Sequence, residues 1–538
     1  MEPHKMSTEK EQVLSARLAA ASQEACRHLN RPPITTNRLD DALATAIDPR
    51  RLIDNMAEAW RTSPQDAQAI LERCGFARVL ARLPAPTIGG DQPEATAPAL
   101  ASRPDFHCAD GRITVRAFNP GLDEPLPGPQ SVLASVSKAA QAFMADAQAD
   151  PLGVLYRREP LAYAATWLKQ TAPRIDEYNK GHFGPAGPRY LVNSGIGANE
   201  QFNYLVSALA NARGNAKLRW LLADSPKEIA ALPADAMVDN TLFMEFSRSG
   251  ITEETVKLHE LTPRHARRIV FANAGPLKAL GERDDNLVLE LPDEVSGRYG
   301  RNKTPILMAP MYVAGLDVAA YWSLIDEACR AFDLSDADSL PVVLAQYLRV
   351  HQLRRGVNHI YLGTNDPLLR YAADELCQFW NEGVNRDGND ITMSRYLGLP
   401  RDSHMNLEAI LGTSEHKMAV FLVRTGPAGD HGLLSPQTDP LQPAHAGLSA
   451  GDVDLILTLA NVKRCSEKMP TILITTPRAD LRTSAWLGQL WADLTLVYAR
   501  LIGVDPGSNP EVKAVRTRAA AWLANKPTAL SMIESDRP

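Results

Sequence analysis

Residues 239–262, DNTLFMEFSRSGITEETVKLHELT, pass from an apolar run through a cluster of short hydroxyl side chains into an amphipathic segment. The apolar run through Phe246 has the length and character of a buried strand, and the segment from Ile251 onward has the periodicity of a helix. Between Phe246 and Val256 the chain places Ser247, Ser249, Thr252 and Thr255, with Gly250 among them. A strand running through a hydroxyl-rich turn directly into a helix is half of a βαβ unit.

The same rhythm extends on both sides of this stretch. RYLVNSG (189–195), LRWLLADS (218–225) and RRIVFANAG (267–275) read as strands that end in turns and lead into amphipathic helices. After a long helical region, 304–330, and the connector FDLSDADSLP, the alternation resumes with NHIYLGTND (358–366), HKMAVFLVRTG (416–426) and MPTILITTPRA (469–479). TSAWLGQLWADLTLVYARLIGV, 483–504, is a well-formed helix. Short apolar strands alternating with helices imply parallel sheets covered on both faces. The expected architecture is α/β, two tandem αβα sandwich domains over 136–335 and 336–538. They follow a helical N-terminal region and connector, 1–135, in which 83–105 is rich in Pro, Gly and Ala.

Bulk properties narrow the function. A chain of 538 residues exceeds one ordinary core. Hydrophobic residues make up 45% and charged residues 22%, near the average for globular proteins. A net charge of −6 gives no overall basic field, which argues against nucleic acid or anionic lipid as partner. The six cysteines are scattered without metal-binding spacing, as expected of reduced thiols in a cytoplasmic protein. No metal or nucleotide motif is present, so no cofactor is expected. No apolar run approaches the ~20 residues of a membrane span.

In an open parallel sheet, ligands settle beyond the carboxyl ends of the strands. Hydroxyls placed there, at the start of a helix whose free N–H groups and dipole favour an anion, suit a phosphomonoester. The same side chains also serve as ordinary helix caps. Residue types alone leave both readings open.

TLFMEFSRSGITEET is similar to the sugar-phosphate loop of the phosphoglucose isomerase family, a signature shared across the sugar isomerase (SIS) fold. Five further stretches resemble family segments in the family's order: NSGIGANEQ (193–201), DEVSGRYGRNKTPILMAPMYVAGLD (293–317), FWNEGVNRDGNDI (379–391), GTSEHKMAVFL (412–422) and LIGVDPGSNPEVKAVR (501–516). The resemblance spans roughly residues 135–520. It implies two SIS domains and an aldose–ketose isomerase that interconverts glucose 6-phosphate and fructose 6-phosphate through a cis-enediol. It also implies a homodimer in which the histidine is supplied across the subunit interface.

Carried over position by position, the resemblance makes Glu382 the base that moves a proton between C2 and C1. His416 is the group that opens the ring, and Arg298 is the cation facing the enediolate. Ser247, Ser249, Thr252 and Thr255 hold the phosphate, and Gly197, Asn199 and Asn509 approach the sugar. Arg516 stands where the family has a lysine that assists ring opening, with Lys513 three residues out of register. Ala198 and Asn199 replace the usual Gly and Ser, Ile251 replaces a threonine, and Asn509 replaces a glutamine. An arginine cannot give up a proton as a lysine can. These departures leave room for a different sugar phosphate as substrate, or for a sugar-phosphate sensor without chemistry.

Overall fold

The structure, a computed structural model, describes residues 106–107, 113–118, 129–149, 159–195, 201–212, 218–237, 239–292, 299, 303–385, 391–412, 414–426, 449–507 and 510–525. The expected helical N-terminal region lies outside these residues, as do Gly197, Asn199, Arg298 and Asn509. Among the described residues, no helix is long and apolar enough to cross a membrane.

The strands are β1 (Phe106–His107), β2 (Thr114–Phe118), β3 (Tyr190–Ser194), β4 (Arg219–Ala223), β5 (Thr241–Phe246), β6 (Arg267–Phe271) and β7 (Leu287–Leu289), then β8 (His359–Thr364), β9 (Thr392–Gly398), β10 (Lys417–Arg424) and β11 (Thr471–Thr476). They form two sheets, both within the compact unit Ala97–Pro538. The first sheet is wholly parallel in the order β4-β3-β5-β6-β7. The second runs β1-β2-β11-β10-β8-β9, parallel from β11 to β9. Its far edge is different: β1 and β2 pair antiparallel and add antiparallel to β11. Two α/β layers with parallel sheets are what the sequence alternation predicts. The antiparallel edge is an addition, drawn from the stretch taken as connector.

Strand β5 is central to the first sheet and buried along its whole length, as parallel strands covered on both faces must be. Alternation sends Leu242, Met244 and Phe246 to one face, packed in a cluster with Leu191 and Ile269. Phe243 faces the other side with Val192 and Leu258. By the same alternation Glu245 and Ser247 belong to the Phe243 face, where the following helix returns.

The helices that position the site are α1 (Pro129–Ala149), α2 (Gln201–Ala212), α3 (Glu253–Leu261), α4 (Gly275–Arg283), α5 (Pro305–Val313), α6 (Val318–Ala331), α7 (Leu340–Arg355), α8 (Leu369–Gly383), α9 (Leu481–Ile502) and α10 (Pro510–Asn525). Helix α9 is the spine. Every residue from Thr483 to Ala499 is buried, and it packs against α1, α2, α6, α7 and α8, helices that belong to both layers. Asp480 caps its start by accepting from Thr483 N at 2.9 Å, and Gly503 closes its end in the left-handed region. The indole of Trp491 donates to Ala372 O of α8 at 3.1 Å.

Trp491 is 1% exposed, so its removal leaves a cavity and takes away the indole's hydrogen bond to α8. Trp491→Ala is expected to cost about 3–5 kcal/mol, read as a lowered denaturant midpoint, with both layers loosening in one transition.

Candidate active site

The loop after β5 is tied to its neighbours by backbone. Ser247 N donates to Phe271 O at 3.0 Å, which extends the ladder with β6 by one residue. Gly250 N returns to Ser247 O at 2.9 Å to close a tight turn. Asn273 N then donates to Arg248 O and Leu277 N to Gly250 O, fastening this loop to the one that opens α4. Gly250 has φ +64°, and a Cβ there would lie 1.8 Å from Ala274 O. Gly275 has φ +77°, and its Cβ would lie 2.6 Å from Ser249 O. The two loops touch through glycine backbones, and neither position admits a side chain.

Within this frame the hydroxyls do different things. Ser247 is buried, and its Oγ lies 2.9 Å from Thr252 Oγ1. Thr252 stands at the N-cap of α3, yet no side chain caps that helix. Thr255, in the first turn, is fully buried with a hydroxyl that has no hydrogen-bond partner. Ser249 is exposed, and Ile251 is 63% exposed, so the departure at 251 points into solvent. Simple capping predicts a Thr252 hydroxyl bonded to its own helix. It is engaged by Ser247 instead, and the amino end of α3 is left to another acceptor.

A buried ionic cluster holds α3 behind the loop. Glu245 Oε2 lies 2.6 Å from His259 Nδ1, and Glu245 Oε1 lies 3.4 Å from Arg268 Nε. All three side chains are nearly sealed from solvent, and Arg268 also donates to Thr262 Oγ1 and to the carbonyls of Pro263 and Ala266. Polar atoms also end β3. The side-chain oxygen and nitrogen of Asn193, and Ser194 Oγ, are buried without hydrogen-bond partners. Sequence reading chose Gly197 and Asn199 of this motif and passed over these two residues. A polar pair closing an otherwise apolar strand was the available signal.

Glu382 sits in the last turn of α8, half-buried, and accepts from Gln378 Nε2 at 3.0 Å. Its neighbours clamp the helix end. Asn381 exchanges two hydrogen bonds with the backbone of Met393, and Trp380 Nε1 donates to Ile391 O. Tyr299, next in sequence to Arg298, docks on the same turn: its hydroxyl donates to Phe379 O at 3.2 Å. A Cβ at Gly383 would lie 1.8 Å from that hydroxyl. The segment following β7 is thereby brought against the helix end that carries Glu382.

His416 precedes β10 with φ +61°, exposed, and its Nδ1 lies 2.7 Å from Arg355 O. A carbonyl only accepts, so Nδ1 carries the hydrogen and the neutral ring presents its lone pair at Nε2. Both residues lie toward the amino edge of the second sheet, Glu382 at the end of the β8–β9 crossover and His416 just before β10. They have separate partners there, Gln378 for the carboxylate and Arg355 O for the ring. Burial lowers the Arg355 guanidinium from its ordinary value. One turn earlier on α7, burial first, and then Arg355 and Arg354, push His351 down to about 3. Arg516 and Lys513 both lie on exposed positions of α10.

No family model matches the chain. Over 261 residues it is 28% identical to a glucose-6-phosphate isomerase from Rubrobacter xylanophilus, covering 46% of this chain and 58% of that protein. Over 347 residues it is 25% identical to a probable glucose-6-phosphate isomerase from Halobacterium salinarum, covering 59% and 76% respectively. The chain thus spans little more than half the length of the first relative. In structure it is similar to a glucose-6-phosphate isomerase from Chlamydia trachomatis, with TM-score 0.56 and 12% identity over 79% of this chain and 89% of that one. That likeness speaks to fold.

The glycine contacts separate two kinds of strain. Gly503, at φ +74°, has nothing within 4 Å of a built Cβ, so Gly503→Ala should cost about 1 kcal/mol from φ alone. Gly250→Ala adds a backbone clash and should lower stability at least twice as far in the same denaturant titration. A pH titration addresses His351. The unfolded imidazole takes up a proton near its ordinary value of 6.5, while the folded one does so only near 3. Protonation therefore favours unfolding across that window, and stability should decline as pH falls from about 6.5 toward 3. His351→Gln should flatten that decline.

Proposed function

We propose that this chain, which belongs to the phosphoglucose isomerase family of SIS-fold proteins as a divergent member, interconverts glucose 6-phosphate and fructose 6-phosphate. The observation that carries the reading is the uncapped amino end of α3. Thr252 is turned to Ser247, and Thr255 is buried without a partner, so the loop offers hydroxyls and helix N–H groups to an anion. Ser247, Thr252 and Thr255 with exposed Ser249 then grip the phosphate without adding net charge.

With the phosphate fixed, isomerisation needs a base that accepts the C2 proton and returns it to C1. Glu382 is that base. Its carboxylate ends a helix whose last turn is pinned to β9 and to Tyr299, so the group is held in place. His416 opens the ring through Nε2, its orientation set by the Nδ1 bond to Arg355 O. Its exposure suits a side chain reaching a partner subunit's site, and a homodimer is part of the proposal. Arg298 stabilises the enediolate, and Arg516 in place of a lysine holds an oxygen by charge alone. Gly197, Asn199 and Asn509 complete the sugar contacts. The reaction needs neither metal nor nucleotide, and a cytoplasmic setting goes with it.

Incubation with glucose 6-phosphate in D2O, followed by NMR, tests this directly. The native protein should incorporate deuterium at C2, and Glu382→Gln should slow that exchange by about 10²–10⁴-fold while sugar-phosphate affinity stays near native. Exchange with another sugar phosphate alone keeps the mechanism and changes the substrate. Tight binding without exchange on any sugar phosphate makes the protein a sensor and removes Glu382 from the role of base.

A further inference from the structure

We infer that Asn193 and Ser194 set the sugar specificity of this site by holding hydroxyls in the middle of the ligand's carbon chain, an inference that rests on the sugar-phosphate reading above. Asn193 is 0% exposed and Ser194 2%. Asn193 Nδ2, Asn193 Oδ1 and Ser194 Oγ have no hydrogen-bond partner. A sealed polar atom without a partner keeps its full desolvation cost, so such a group at the end of an apolar strand calls for something to complete it.

Strand order places both residues where ligands collect. In the first sheet β3 lies between β4 and β5. The chain leaves β3 through α2 toward β4, and leaves β5 through α3 toward β6, so the two connections depart in opposite directions. The crevice between the carboxyl ends of β3 and β5 is therefore the switch point of this sheet, and open parallel sheets bind small molecules there. Ser194 pairs with Glu245 in the ladder, and Asn193 with Met244. Ser247 stands two residues beyond Glu245 and is still extended, since its N–H donates to Phe271 O. With strands ~4.8 Å apart and ~3.3 Å of rise per residue, the Cα of Ser194 lies roughly 8 Å from that of Ser247.

The two side chains belong to different sides of that crevice. Val192 shares a cluster with Phe243 and with Leu258 of α3, so alternation puts Ser194 on the α3 side, with Glu245 and Ser247. Thr255, another hydroxyl without a partner, is in the first turn of α3. Leu191 shares a cluster with Val206 and Ala210 of α2, so Asn193 lies on the α2 side. Helix α2 packs in turn on α8, where Tyr204 stacks on Tyr371 with centroids 5.5 Å apart. A ligand whose phosphate is held by the loop after β5, and whose reacting carbons meet Glu382 of α8, passes over the ends of β3 and β5.

In a hexose 6-phosphate the anionic end is C6 and the reacting carbons are C1 and C2. The hydroxyls on C3 and C4 lie between them. A hydroxyl both donates and accepts, and a primary amide offers both partners. Asn193 gives an Nδ2 hydrogen to one of these oxygens and accepts the hydrogen of the next at Oδ1, while Ser194 Oγ supplies a further contact from the α3 side. A sugar lacking one of these hydroxyls strands the amide again, so a site of this kind rejects it far more strongly than an apolar pocket would. The pair binds and selects; proton transfer stays with Glu382.

Calorimetry with glucose 6-phosphate and its 3-deoxy and 4-deoxy analogues, on native protein, Asn193→Leu and Ser194→Ala, tests this. Native protein should bind glucose 6-phosphate about 10-fold or more tightly than at least one deoxy analogue. Both variants should shrink that preference, Asn193→Leu to within about twofold, and inorganic phosphate should bind each within about twofold of native. Because the replaced atoms have no partner in the free protein, neither variant should lower the denaturant midpoint. A deoxy preference unchanged in both variants overturns the inference. So do lowered midpoints with equal loss of every ligand, which would make the pair structural groups that hold a buried water. Deuterium exchange at C2 by native protein with no deoxy preference overturns this inference alone and leaves the isomerase reading standing. A deoxy preference that depends on Asn193, without C2 exchange on any sugar phosphate, upholds the contact and overturns the isomerase reading.

Discussion

The burial of α9 on every side is the constraint on which the rest of this molecule depends. From Thr483 to Ala499 the helix has no solvent face, and it is packed by helices of both layers. An amphipathic helix can serve only one sheet; one that is apolar all round needs a second layer to cover it. Trp486, Trp491 and Tyr498 fill the shared core from this helix. The same burial leaves polar groups that need partners, and Trp491 finds Ala372 O on α8. α8 is the element that carries Glu382, so the packing that joins the layers also sets the carboxylate.

The candidate residues fall at two different sheet edges. The hydroxyl loop lies beyond the carboxyl end of β5, where parallel sheets ordinarily hold ligands. Glu382 belongs to the opposite kind of edge, at the end of a crossover helix that returns to the start of β9. Tyr299 links the two layers: it follows β7 of the first sheet in the chain and docks on the last turn of α8.

Backbone proximity, more than side-chain chemistry, shapes the loop after β5. Gly250 and Gly275 let two loops share hydrogen bonds at a separation no side chain would permit. Behind them, the Glu245–His259–Arg268 cluster fixes α3 through charges removed from water. Losing one partner of such a cluster costs more than the pair itself contributes, because the remaining charge is stranded. The unpartnered hydroxyl of Thr255 and the uncapped amino end of α3 sit on this base.

Much of this was readable before any coordinates. Short runs rich in apolar and β-branched residues, such as TLFMEF and TILITT, determined buried strands by themselves, since composition and length decide local structure there. Sequence also placed Ser247, Ser249, Thr252 and Thr255 at a strand-to-helix turn, because turn chemistry is local. It did not reveal β1, β2, β7 or β9, which are short or lie at sheet edges where no continuous apolar run is needed. Nor could it distinguish a capping threonine from one turned to a neighbouring serine. Tertiary structure alone decided that Thr252 faces Ser247, that Gly383 makes room for Tyr299, and that Asn193 is sealed from water. Each of those depends on residues distant along the chain or on how surrounding elements close over a site, and neither leaves a periodic trace in the sequence.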